Sequence, residues 1–96
     1  MAEVPFLPAA RQEFLAAADH YEAVSSGLGE EFIGDVEQAV ARIAAFPNHG
    51  SPYFGGTCRV VLSRFPFDVV YRSDQGLLVV AVAHQHRKPF YWRVRR

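Results

Sequence analysis

The stretch CRVVLSRFPFDVVYRSDQGLLVVAVAH, residues 58–84, decides the fold, because it alternates short apolar runs with two tight turns. The turns at 64–66 and 74–76 are so short that they join only antiparallel neighbours. Leu77–Ala83 is apolar at every position, so we expect this strand to be central and covered on both faces. The apolar runs predict three strands, namely Cys58–Ser63, Phe67–Arg72 and Leu77–His84.

Two amphipathic helices are predicted upstream of these strands. The first spans about residues 9–24, where apolar side chains recur at three- and four-residue spacing. Gly27, which follows it, is a candidate for a left-handed helix cap. The second helix begins near Gly29 and ends at Phe46 and Pro47. The short link between the helices predicts an antiparallel helical hairpin.

The remaining segments complete one α+β domain over residues 1–96. Val4–Leu7 is a short apolar stretch that predicts an edge strand, since Pro5 has no N–H to contribute to a strand ladder. Residues 47–57 have the composition of a loop. The predicted order is therefore β-α-α-β-β-β, with the helical hairpin packed on a twisted antiparallel sheet.

Charge is divided unevenly along the chain. Residues 1–46 carry eight acids and two bases, a net charge of −6, while residues 47–96 carry eight bases and two acids, a net charge of +6. Such a split indicates either a basic surface for an acidic partner or two halves that neutralise each other. Cys58 is the sole cysteine and is expected to be a buried, inert thiol. With no disulfide, signal peptide or membrane span in the sequence, we expect a cytoplasmic protein without membrane contact.

The C-terminal segment HQHRKPFYWRVRR, residues 84–96, interleaves bases with aromatic residues. Aromatic side chains in such a pattern stack on nucleobases while arginines hold phosphates. The alternative, which the residues alone favour, is that Phe90, Tyr91 and Trp92 pack onto the core and the arginines form a solvated end.

A few single residues are candidates for chemistry. His84 and His86 lie two apart on a strand, so they share a face and could act as acid–base groups. No cysteine or carboxylate cluster stands near them, so no metal site is predicted, and no cofactor-binding motif is present. Arg59 points either to a ligand or to an acid of the helices. Asp68 lies within an apolar strand, and we expect it at an edge, in a turn, or paired with Arg59 or Arg64.

Short segments over nearly the whole chain follow a recurring order: FLPAA (6–10), YE (21–22), GLGEEF (27–32), VE (36–37), RI (42–43), FP (46–47), GSP (50–52), RV (59–60), FPF (65–67), VVY (69–71), AVAH (81–84) and RKPFYW (87–92). In this order and spacing the chain resembles the RelE/ParE superfamily of bacterial type II toxins, also called plasmid stabilisation proteins. The resemblance implies a helical hairpin on a twisted antiparallel sheet. It also implies a cognate antitoxin that wraps an extended, acidic segment around the toxin.

The resemblance implies two alternative mechanisms. ParE-like members bind and inhibit DNA gyrase without catalysis. RelE-like members are ribosome-dependent endoribonucleases, which cut mRNA with basic strand residues and a C-terminal arginine and tyrosine. In this chain the nuclease roles would fall on Arg59, His84, His86, Arg87 and Tyr91.

Two positions depart from the nuclease pattern. Val61 and Asp68 stand where basic residues are expected, and a carboxylate facing a phosphate repels it. The departure favours a ParE-like toxin, leaves open whether the chain is an enzyme, and leaves a non-toxic interaction domain on the same fold as a third interpretation. We expect a homo-oligomer or a hetero-oligomer with the antitoxin. The expected partner-binding residues are Arg59, Arg64, Arg87, Lys88, Trp92, Arg93, Arg95 and Arg96.

Overall fold

A computed structural model of the chain describes residues 4–95, which form two helices and a four-stranded antiparallel sheet. The strands follow one another in the sheet in chain order. Two short 3-10 turns, Phe54–Gly56 and Tyr91–Val94, lie outside these elements. The elements are α1 (Pro8–Val24), α2 (Leu28–Ala45), β1 (Ser51–Pro52), β2 (Cys58–Val61), β3 (Phe67–Arg72) and β4 (Leu78–His84). The α+β class and the helical hairpin are as predicted.

The helical hairpin closes through one carboxylate at its tip. Glu22, near the end of α1, accepts hydrogen bonds from the backbone N–H of Gly27 at 2.9 Å and of Gly29 at 3.0 Å. Gly27 has a φ of 89°, which confirms the predicted left-handed conformation. A Cβ atom at Gly29 would lie 2.6 Å from the carbonyl oxygen of Ala18, so the close approach of the two helices requires glycine there.

The loop predicted for residues 47–57 contains a strand that the sequence did not reveal. Ser51 and Pro52 pair with Arg59 and Cys58 and form β1, the edge of the sheet. The loop is fixed by the buried hydroxyl of Tyr71, which donates to the carbonyl of Pro47 at 2.8 Å and accepts from the N–H of Gly50 at 2.9 Å. These contacts join positions more than 20 residues apart, so local composition gave no sign of them.

The strand expected at Val4–Leu7 is reduced to one parallel bridge, between Phe6 and Val79. The N–H of Leu7 donates to the carbonyl of Val79 at 2.9 Å. The expectation that the last strand is central was wrong, because β4 is the outermost of the four strands. The N-terminal segment nevertheless lies along its outer side, and Val79–Ala83 are buried, so the predicted cover on both faces is confirmed.

The turn between β2 and β3 is held against α2 by a buried acid. Asp35 accepts a hydrogen bond from the hydroxyl of Ser63 at 3.3 Å and one from the backbone N–H of Arg64 at 3.2 Å. The chain therefore bends away after Val61, and β2 is two residues shorter than the predicted strand, which ended at Ser63. This anchor sets where β2 and β3 stand relative to the helices.

The two faces of the sheet are covered differently. The helices pack on one face, where Phe32 and Val36 meet Val69, Tyr71 and other apolar residues in the main core. Burial of this apolar surface is the dominant stabilising contribution to such a domain. The opposite face carries a smaller cluster, built from Val70, Val80, Ala81, Ala83 and Trp92. Because no helix covers this second face among the described residues, the C-terminal segment determines its shape.

Replacing Tyr71 with phenylalanine tests the anchor of the 47–52 loop. Tyr71→Phe removes the hydroxyl and leaves the Gly50 N–H and the Pro47 carbonyl without that partner, which should lower the free energy of unfolding by about 1–3 kcal/mol. Urea denaturation measures this change. Tyr53→Phe is the matched control, because the Tyr53 hydroxyl has no hydrogen-bond partner among residues 4–95, and it should change stability by less than about 0.5 kcal/mol. Equal effects of the two substitutions would contradict the anchoring role.

Candidate functional site

The C-terminal tail, residues 85–95, turns back over the sheet face that the helices leave open. After β4, the N–H of Arg87 donates to the carbonyl of His84 at 3.0 Å, which closes the turn. Phe90 has a φ of 60°, a left-handed conformation that is uncommon for a bulky residue and costs roughly 1–2 kcal/mol. The reversal directs the indole of Trp92 into the sheet, where Trp92 is only 4% exposed.

One carboxylate of α1 holds the tail in this position. Glu13 accepts hydrogen bonds from the Tyr91 hydroxyl, from both terminal nitrogens of Arg95 at 2.8 and 2.9 Å, and from the backbone N–H of Val82 at 3.1 Å. Arg95 also donates to the carbonyl of Val80 at 3.1 Å. The Glu13 and Arg95 side chains therefore occupy hydrogen-bonding groups of β4 to which another strand would otherwise bind.

These contacts decide between the two interpretations of the tail aromatics. Trp92 is buried and Phe90 and Tyr91 are half-buried, so the aromatic residues pack onto the core as the sequence favoured. The expectation of a solvated arginine end was wrong for Arg95, whose side chain is only 19% exposed in its ion pair with Glu13. Glu13 was missed, because a single acid on an amphipathic helix gives no sign that it faces a strand and a tail far away in sequence.

The contacts with Glu13 also shift the pKa values of Tyr91 and Arg95. Burial raises the pKa of the Tyr91 hydroxyl above its ordinary value of 10.0, and the hydrogen bond to the Glu13 carboxylate raises it further. The hydrogen bonds to Glu13 raise the pKa of the Arg95 guanidinium. Tyr91 is therefore held in its neutral form, with its proton directed to Glu13.

A groove of about 380 Å³, here called the tail groove, lies between the tail and strands β2 and β3. Arg59 is at its floor, 3.5 Å from the carboxylate of Asp68 and 4.5 Å above the centre of the Tyr53 ring. Asp68 also accepts a hydrogen bond from Gln85 at 3.2 Å. Of the alternatives expected for Asp68, the structure contains the pair with Arg59. Tyr53 lies in the segment interpreted as a loop, so its place in the groove was not anticipated.

The other predicted chemical residues meet at the mouth of the groove. His84, Arg87 and Tyr91 line it, and the Arg87 guanidinium lies 4.0 Å above the centre of the Tyr91 ring. The imidazoles of His84 and His86 are 5.1 Å apart, and His84 Nδ1 accepts the backbone N–H of His86. His86 itself does not line the groove. Lys88 completes the basic side of the rim.

Three further predicted partner-binding residues lie away from the groove, namely Arg64, Arg93 and Arg95. Arg64 donates to Glu31 at 2.6 Å on the helical side of the molecule. Arg93 and Arg95 lie on the far side of the Trp92 indole, in a smaller pocket. Arg96 lies outside the described residues. A partner-binding role for these arginines stays a prediction.

The charges within the tail groove are unevenly compensated. Asp68 compensates Arg59, whereas neither Arg87 nor Lys88 has a carboxylate within 4.0 Å among residues 4–95. Within the same range, no three His, Cys, Asp or Glu side chains form a group that could hold a metal ion. No helix in residues 4–95 is long and apolar enough to cross a membrane.

Two helices followed by a four-stranded antiparallel sheet match the ParE-like fold. A family model described as the ParE toxin of the type II toxin–antitoxin system parDE matches residues 4–89. The chain therefore belongs to the ParE toxin family, which confirms the ParE-like rather than RelE-like resemblance. Membership of a toxin–antitoxin family implies an antitoxin partner.

A solved structure supports the fold. The chain is similar to a chain of the chromosomal ParDE TA system from P. aeruginosa, with a TM-score of 0.67 and 19% sequence identity. The likeness covers 88% of this chain and 96% of that one. Among curated proteins, none matches the chain.

Replacing Glu13 with glutamine tests whether this residue holds the tail. Glu13→Gln leaves the Arg95 guanidinium without its counter-charge in a largely buried position, so it should lower the free energy of unfolding by about 2–4 kcal/mol. Chemical denaturation followed by Trp92 fluorescence measures the effect. Glu37→Gln makes the same chemical change at an exposed position of α2 and should alter stability by less than about 0.5 kcal/mol. A small and equal effect at both positions would refute the anchoring role.

The raised pKa of Tyr91 predicts a stability loss at alkaline pH. Its stabilising contribution is fully present below pH 10.0, the ordinary pKa, and is lost as pH rises through the folded-state pKa, because the unfolded chain then releases the proton first. Tyr91→Phe should lower stability at about pH 7 by about 1–2 kcal/mol and should lose less further stability up to about pH 11 than wild type does. Denaturation curves at both pH values measure this, and parallel losses in the two proteins would contradict it.

Proposed function

We propose that this ParE-family chain acts by binding a target protein, DNA gyrase, without catalysis, and that an antitoxin neutralises it by covering the tail groove with an extended, acidic segment. The observation that carries this proposal is the Arg59–Asp68 pair on the groove floor, 3.5 Å apart. Asp68 neutralises the positive charge of Arg59, at the position where a nuclease would need an uncompensated cation to stabilise a phosphate.

The protonation of Tyr91 is also unfavourable for catalysis. In-line attack by a 2′-hydroxyl needs a base and cations around the phosphate. Tyr91 donates a hydrogen bond to Glu13 and has a raised pKa, so it is a poor source of a phenolate base. Val61 adds no charge, and Asp68 would repel a phosphate that approached Arg59. These features favour binding over RNA cleavage.

The tail groove has the composition of a protein-binding surface. Tyr53, Phe90 and Trp92 form an aromatic cluster with ring centroids 5.3 to 6.2 Å apart, and such clusters are common where one side chain of a partner is anchored. Arg87 and Lys88 stand at the rim with no carboxylate within 4.0 Å in the described part of the chain. An acidic segment with apolar anchors complements both features.

Induced expression of the chain in a bacterial host tests this function, with growth, nucleoid morphology and message integrity followed together. We expect growth arrest with filamentation and intact messages. The double variant Arg87→Gln/Lys88→Gln should relieve the arrest, because it removes the rim charges. Arg11→Gln/Arg42→Gln removes two exposed helix arginines and so has the same net charge as the first double variant. It should arrest growth as wild type does.

The alternative outcomes are distinct. Rapid loss of translated messages would overturn binding without catalysis and would support the ribonuclease alternative with Arg59, a histidine, Arg87 and Tyr91. If the wild-type chain is expressed and growth does not stop, the result would contradict the toxin function and favour the non-toxic interaction domain. Equal relief by both double variants would show that net charge, rather than the tail groove, is responsible.

A further inference from the structure

The buried indole of Trp92 separates the tail groove from a second, smaller pocket. This pocket has a volume of about 60 Å³. Val80 and Trp92 contribute apolar walls. Three arginines are among the residues that line the pocket, namely Arg72, Arg93 and Arg95. Arg95 is already paired with Glu13, so Arg72 and Arg93 are the cations that remain for an anion.

The tail backbone holds two of these arginines in place. Arg72 donates to the carbonyl of Arg95 at 3.3 Å, and Arg93 donates to the carbonyl of Phe90 at 3.1 Å. Each of these contacts uses one of the five N–H groups of a guanidinium, which leaves further donors for a ligand. Because the carbonyls restrict both side chains, binding would cost little additional conformational entropy.

The charges of Arg72 and Arg93 are uncompensated in the described part of the chain. Glu13 compensates Arg95 at 2.8 Å, whereas no carboxylate among residues 4–95 lies within 4.0 Å of Arg72 or Arg93. Among the described residues, Arg72 and Arg93 thus bring uncompensated positive charge to the pocket, where Arg72 is half-buried and Arg93 is exposed.

We propose that this pocket binds the side-chain carboxylate of an acidic protein segment, at a second site next to the tail groove. The planar guanidinium of arginine matches a carboxylate through paired N–H donors. The proposal deepens the proposed function, since the natural source of the carboxylate would be the acidic antitoxin segment.

The only tryptophan of the chain reports on the site. A decapeptide of glutamate is titrated into the full-length chain at low salt, and Trp92 fluorescence is recorded. We expect saturable binding that Arg72→Gln/Arg93→Gln weakens by about tenfold or more. Arg11→Gln/Arg42→Gln, which has the same net charge as Arg72→Gln/Arg93→Gln, should bind the peptide as wild type does. Thermal unfolding checks that each variant is folded. If the double variant does not fold because Arg72 is needed, Arg93→Gln alone, at an exposed position, should still weaken binding of the peptide.

Each other outcome overturns the proposal. Absence of peptide binding, or equal weakening in the two double variants, would show that no specific site exists. Weakening confined to Arg87→Gln/Lys88→Gln would place the carboxylates in the tail groove instead. Tighter binding of inorganic phosphate than of the peptide would identify a phosphate site. Because the titration involves neither gyrase nor growth, its failure would leave the proposed action on gyrase standing, which the expression experiment tests separately.

Discussion

The hydrogen bonds to the Glu13 carboxylate are the constraint on which the site depends. This one group of α1 binds the N–H of Val82 in β4 and the Tyr91 and Arg95 side chains of the tail, so it joins helix, sheet and tail. At 15% exposure, Glu13 lies largely out of water. Releasing the tail would break these charge-assisted hydrogen bonds and expose the buried indole of Trp92, which is costly. The tail groove is therefore formed by the chain itself, before any partner binds.

With the tail fixed, charge determines the function that the groove supports. Asp68 compensates the cation at the floor, Glu13 compensates Arg95 beside Trp92, and the uncompensated cations remain at the rim and in the smaller pocket. Cations around an aromatic surface favour binding of an acidic polypeptide. Phosphoryl chemistry would instead need the positive charge of Arg59 on the groove floor, which Asp68 neutralises. The charge distribution thus supports the binding function proposed for this member of the ParE toxin family.

The fold was largely predictable because its signals are local. Tight turns and continuous apolar runs fixed β3 and β4 to within one residue, and helical periodicity did the same for the start of both helices. The short β1 escaped prediction because the distant Tyr71 hydroxyl stabilises its loop. In the site, the cluster of bases and aromatics identified the tail, but Glu13 and Tyr91 are 78 positions apart, and no sequence pattern reports such a contact. The ion pair of Arg95 with Glu13 was consequently not anticipated.

The most direct measurement compares two activities of the purified chain. Its inhibition of gyrase-catalysed DNA supercoiling is titrated beside its cleavage of ribosome-bound message. The account predicts inhibition that saturates near one chain per gyrase binding site, lost in Arg87→Gln/Lys88→Gln, with no cleavage of the message. Cleavage that depends on Tyr91 or His84, without inhibition of gyrase, would contradict it.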